Sequence, residues 1–147
     1  MEASNVPQRQ LIQSMILSIL DCKSMGSQMF EFLKFDDIEW EDTPRGYYLA
    51  DVKQKILWQD PNTGATLALV KFPKGVADKI HSHPEATQIT IGLSGGLLMP
   101  PDNKPMKMEP NMVATAGKGV KHGRTDFTEE SIALFFWDGP PKPETHE

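Results

Sequence analysis

The chain of 147 residues has a single cysteine, Cys22. An internal disulfide is therefore excluded, and a reducing, cytoplasmic setting is the expected one. Positive charge is also short, with 15 Lys and Arg against 20 Asp and Glu and a net charge of −5. No run of Lys and Arg interleaved with aromatics appears, which argues against a nucleic-acid partner. Long apolar runs are missing too. The most apolar stretch, residues 11–20, is interrupted by Gln13, Ser14 and Ser18 and is too short to span a bilayer, so no membrane partner is expected. Nor does it read as a secretory signal, because Arg9 is the only positive charge before it and Asp21-Cys22-Lys23 offers no small-residue cleavage site. Helical periodicity, internal repeats and low-complexity linkers are all lacking after residue 30. At 39% hydrophobic residues, the chain can bury one good core and not two.

What is present divides into three stretches. Leu11, Ile12, Met15, Ile16, Ile19 and Leu20 recur at helical spacing behind Asn5 and Pro7, which predicts an amphipathic helix over residues 8–22 in an extension covering 1–29. From Phe30 the texture changes to short β-rich runs punctuated by turn residues. Tyr48–Trp58, Thr66–Phe72, Gln88–Gly92, Met112–Thr115 and Ile132–Trp137 read as strands, with loops at Asp60–Gly64 and Pro100–Pro105. Strands with turns every ten or so residues predict an all-β antiparallel sandwich or closed barrel over 30–140. Residues 141–147 read as a charged, proline-rich tail, with His146 in solvent.

Three of the four histidines fall in one pattern: Gly75, five residues, His81-Ser82-His83, four residues, Gln88, six residues, Gly95, and later His122. Side chains two apart on a strand share a face, so His81 and His83 converge. Gln88 lies an odd step beyond His83, and Pro84-Glu85-Ala86 supplies the bend that resets the register. After the bend, Gln88 and Thr90 share one face and Ile89 and Ile91 the other. A lone buried histidine is most often a satisfied core residue, and His-x-His alone is common. The joint occurrence of the pair, the glutamine, the third histidine and the flanking glycines favours one metal ion held by His81, His83, Gln88 and His122.

Gly75 to Gly95 resembles the first motif of the cupin superfamily, and Gly119-Val120-Lys121-His122 resembles the core of its second. The resemblance implies a cupin-type antiparallel β-barrel (a jelly roll, or double-stranded β-helix) with the metal on its inner wall, preceded here by the one short helix. Within the superfamily, the chain is similar at the four ligand positions to small pectin-degradation cupins that act on unsaturated uronates. Gln88 replaces the usual acid of the first motif. In the second motif Gly117 stands where proline is usual, Asn111 where glycine is usual, and Asp126 where asparagine often sits.

Three neutral imidazoles and a neutral amide would leave the ion's charge uncompensated, making it a strong Lewis acid. Four protein ligands leave positions for a substrate, which favours catalysis over a closed structural site. If the segment after His122 is extended, Arg124 and Asp126 share its face. Arg124 would then clamp a substrate carboxylate and Asp126 move a proton; the same parity also fits an ion pair at the barrel rim. Lys79 is expected to face inward, whereas Tyr47, Tyr48 and the strand Phe135-Phe136-Trp137 read as packing.

Three classes follow. The first is a non-redox lyase, isomerase or cyclase that uses one divalent transition metal (Zn, Ni, Fe or Mn) on a small carbonyl or uronate-like substrate. An Fe(II)-dependent dioxygenase is the second, and a non-enzymatic metal- or ligand-sensing cupin module the third. An apolar helix beside open sheet edges also fits a homodimer.

Overall fold

The structure, a computed structural model, describes residues 31–44, 46–99 and 106–146. The predicted helix over 8–22, the 1–29 extension and the Pro100–Pro105 loop lie outside these residues.

The described chain opens with a 3-10 turn at Phe35–Asp37 and then runs as strands. Strands β1 (Glu41–Asp42), β2 (Lys53–Gln59), β3 (Thr66–Phe72), β4 (Gly75–Val76) and β5 (His81–Ser82) precede the Pro84 bend. After it come β6 (Gln88–Ser94), β7 (Leu97–Met99), β8 (Met106–Met108), β9 (Val113–Ala116), β10 (Asp126–Phe127), β11 (Ser131–Trp137) and β12 (Glu144–Thr145). A six-stranded sheet has the order β1-β2-β3-β11-β6-β9, a four-stranded sheet the order β4-β10-β7-β8, and β12 pairs with β5. The predicted all-β fold is present, but its strands form open sheets rather than the closed barrel expected.

Alternation along β3 and β11 builds the wall of the core. Their full-length antiparallel register, from Ser131 opposite Phe72 to Trp137 opposite Thr66, places Ala68, Val70, Phe72, Ala133, Phe135 and Trp137 on the inner face. The second sheet meets this wall through Phe127, whose ring stacks on Phe72 with centroids 4.3 Å apart. Both rings are buried, and each contributes about 1.5–3 kcal/mol by leaving water. Gly95 shows why a glycine is needed in the turn between β6 and β7. Its φ is +79°, and a Cβ there would lie 2.6 Å from the Glu130 carbonyl.

Apart from strand ends that move by one or two residues, two places differ from the sequence reading. The strand expected from Tyr48 begins at Lys53, because the Val52 N–H folds back onto the Ala50 carbonyl at 2.9 Å and leaves Tyr48 bridged to Asp78 alone. The C-terminal residues 142–146 are exposed, as expected of a tail in solvent, yet they also pair with the fold. Glu144 and Thr145 pair with Ser82 and His81, and the His146 ring reaches the Ser82 hydroxyl at 2.8 Å. A tail rich in proline and charge has little apolar signal, so backbone pairing of this kind is invisible to pattern reading. No helix among the described residues is long and apolar enough to cross a membrane.

Candidate metal centre

His81, Ser82 and His83 follow one another in extended backbone, and Pro84 and Glu85 turn the chain immediately afterwards. The predicted reset of register is thus present, and Gln88 starts β6 as a buried residue. His122 arrives from the other side through a two-way bridge, in which the His81 N–H donates to the His122 carbonyl and the His122 N–H to the His81 carbonyl, both at 2.8 Å. The rings of His81 and His122 come within 4.4 Å between centroids, those of His81 and His83 within 5.1 Å, and those of His83 and His122 within 5.4 Å. One ligand nitrogen from each of the three lies within 4.8 Å of the others. Metal–nitrogen bonds of about 2.0–2.1 Å place ligand atoms roughly 3.0–3.4 Å apart, a contraction within reach of small χ adjustments.

The ring nitrogens are prepared for an ion. The carbonyls of Lys79 and Val120 accept from Nδ1 of His81 (2.8 Å) and of His122 (2.9 Å). A carbonyl only accepts, so each Nδ1 carries the proton and each Nε2 keeps a free lone pair. Both nitrogens of His83 and Nε2 of His122 are buried with no hydrogen-bond partner among the described residues. Orphaned buried nitrogens are costly unless something binds them, and three within one cluster fit a metal ion. Burial pushes His81 down to about 3, assisted by repulsion from His122 and His83 and opposed by the Lys79 carbonyl. Burial likewise holds His83 down to about 4, and lowers His122. All three are therefore neutral at pH 7, the state that ligates.

Gln88 sits at the edge of this cluster with its amide pinned. The indole N–H of Trp137 donates to Oε1 at 2.9 Å, and Nε2 donates to Thr90 Oγ1 at 3.3 Å. Because an indole only donates, the amide has one orientation.

Arg124 and Asp126 do not line the cavity beside the histidines. Both are exposed, while Thr125 and Phe127 between and after them are buried. The parity argument fails because the chain is not extended after His122: Gly123 has φ +113° and Arg124 φ +51°, a left-handed step that turns the following strand over. Asp126 then faces away from the core in β10, opposite Val76 and Leu98. Lys79, expected to face inward, is only half-buried. Asp78 is the buried residue, and its carboxylate accepts the Thr125 N–H at 2.7 Å.

The cavity beside the histidines is lined by residues that sequence reading assigned to packing or passed over. Tyr47, Tyr48, Asp78 and Thr125 share it with His81, His122, Gln88 and Thr90, closed by Phe72, Phe127 and Phe135. The Tyr47 hydroxyl donates to that of Tyr48 at 2.8 Å, and the Tyr47 ring lies 4.2 Å from that of His81. Burial raises the pKa of both phenols, so both keep their protons. About 30 Å³ remains for the centres of water molecules, room for roughly one or two.

Neither a protein-family model nor a curated protein matches the chain. Solved structures do, and RmlC-like cupins are among them. An acetylacetone dioxygenase from Acinetobacter johnsonii superposes with a TM-score of 0.65 at 13% identity, covering 100% of this chain and 85% of that one. The polyketide cyclase RemF from Streptomyces resistomycificus gives 0.65 at 15% identity, over 81% and 87% of the two chains. KdgF from Halomonas sp. gives 0.60 at 19% identity, over 75% and 94%. The described β-structure is therefore a cupin fold, with three histidines gathered where an ion can be held. These likenesses span dioxygenase, cyclase and KdgF, and at such identities they carry the fold and not the reaction.

Proposed function

We propose that the chain is a metal-dependent enzyme that binds one divalent transition ion through His81, His83 and His122, with Gln88 Oε1 as a fourth ligand, and performs non-redox lyase, isomerase or cyclase chemistry on a small carbonyl or uronate-like substrate. The observation that carries this reading is the set of buried, unpartnered imidazole nitrogens at His83 and His122. Bound there, the ion would supply Lewis acidity that no ligand carboxylate offsets.

The chain's own groups define the rest. Tyr47 and Tyr48 stay protonated; Tyr47 donates to Tyr48, which leaves the Tyr48 O–H to donate to an oxygen-rich substrate. Asp78 and Thr125 hold one another and keep that wall in place. The aromatic rings of Phe72, Phe127 and Phe135 exclude water from the same space, which strengthens every polar contact inside it. The small cavity admits the reacting head of a substrate, so the remainder of a larger molecule would stay at the mouth. Arg124 and Asp126, exposed as they are, have no part in this scheme.

An Fe(II)-dependent dioxygenase is the second reading, favoured by the all-imidazole set and by the likeness to an acetylacetone dioxygenase over the whole chain. The test is to load the protein with Zn(II), Ni(II), Mn(II) or Fe(II) and supply an enolisable β-dicarbonyl or an unsaturated uronate, with and without oxygen. Turnover under nitrogen supports the first reading; oxygen uptake confined to the iron form overturns it in favour of the second. Metal binding without turnover of either substrate class would leave a sensing module and sink both.

A further inference from the structure

The C-terminal residues do more than end the last long strand. From Asp138 onward they follow the ligand segment almost residue by residue, in reverse. The Thr87 N–H donates to the Asp138 carboxylate at 2.7 Å, and the Asp138 N–H returns to the Thr87 carbonyl at 3.3 Å. Gly139 lies against Glu85 so closely that a Cβ there would meet the Glu85 carbonyl. Glu144 and Thr145 then pair with Ser82 and His81. At the far end the His146 N–H donates to the Ile80 carbonyl at 2.9 Å, and its ring meets the hydroxyl of Ser82, a side chain only 2% exposed. Residues 138–146 therefore touch the stretch from Ile80 to Thr87 at several independent places.

His81 and His122 each have a backbone carbonyl holding Nδ1, and the C-terminal residues pair directly with the backbone of His81 and Ser82. Metal-bound histidines almost always donate their other N–H to such an acceptor, and loss of that partner typically weakens metal binding about 10–100-fold.

We propose that residues 139–146 are a positioning strap for the metal centre: they fix the His81–His83 segment from outside, through the pairing of Glu144 and Thr145 with Ser82 and His81 and the two contacts of His146. This rests on the assignment of the three histidines as metal ligands. Its specific content is that metal affinity depends on a tail that contributes no ligand atom.

The test compares Zn(II) affinity by chelator competition, and the visible spectrum of the Co(II) form, in the full chain, in a chain stopped after Gly139, and in His146→Pro and His146→Gln. Proline at 146 removes both the donor to Ile80 and the ring on Ser82, while glutamine keeps a side-chain partner for Ser82. Truncation is expected to weaken Zn(II) binding about 10–100-fold and shift the Co(II) bands, with His146→Pro several-fold weaker and His146→Gln close to the parent. A truncated protein with parental affinity and spectrum overturns the proposal. If truncation prevents folding, unchanged affinity in His146→Pro overturns it equally. Failure of the full chain to bind Zn(II) or Co(II) would instead remove the metal reading itself.

Discussion

Acid should destabilise the metal-free protein well above the pH at which its carboxylates become protonated. His81 and His83 are 2% and 1% exposed, and burial sets their folded pKa values at about 3 and about 4. In the unfolded chain an imidazole titrates near 6.5. Between pH 6.5 and these depressed values the unfolded state binds more protons than the folded one. Stability therefore rises with pH across that window and falls as the solution is acidified through it. Each group costs about 1.4 kcal/mol per pH unit below 6.5. Taking the protein from pH 7 to 4.5 should remove on the order of 3–5 kcal/mol, a large share of the roughly 5–15 kcal/mol typical of a domain. The assay is urea unfolding of chelator-treated protein at half-unit steps from pH 7.5 to 4.5, beside a His81→Asn/His83→Gln double variant. The parent should lose stability steadily below pH 6.5 and the double variant should be much flatter. Equal slopes, or a parent with constant stability down to pH 5, would refute the claim that both imidazoles are buried and neutral.

Replacing Trp137 with Phe removes the donor to Gln88 Oε1 and leaves a buried acceptor unpaired, at a cost of about 1–3 kcal/mol. Thermal unfolding of the metal-free form should drop by several degrees, and adding Gln88→Leu should recover part of the loss; additive losses would contradict the pairing. Gly123→Ala forces a Cβ onto the Lys79 carbonyl, the group that orients His81, and to within 3.1 Å of the His81 Nδ1 itself, at a left-handed position. Zn(II) affinity, measured by chelator competition, should fall about tenfold, and an unchanged value would detach Lys79 from the site. Gln88→Glu should retain the ion but slow turnover, because the added charge offsets part of its field; undiminished kcat would argue against Lewis-acid chemistry.

Where side-chain parity is preserved along an unbroken strand, the sequence was legible. Thr66–Phe72 is the strand expected, and Ser131–Trp137 differs from expectation by one residue. The His81-Ser82-His83 pair, the bend at Pro84 and the inward Gln88 were also readable, because proline marks the one place where parity must reset. Arg124 and Asp126 were misplaced because the left-handed Arg124 inverts the faces after His122, and only the preceding Gly123 hints at such a step. Asp78 gave no signal, since the segment between Val76 and His81 is irregular and neither period applies to it. Tyr47 and Tyr48 enter one cavity although adjacent residues on a strand point apart; the kink at Ala50–Val52 takes them out of the strand. The pairing of the tail with His81 and Ser82 is made by backbone, which pattern reading does not see.

The most direct test of the metal centre is elemental analysis of untagged protein, as purified and after loading with one divalent ion, repeated on His83→Ala and His122→Ala. The site described here predicts close to one equivalent of metal in the parent and its loss from both variants. Stoichiometric metal retained by either variant, or none held by the loaded parent, would contradict it.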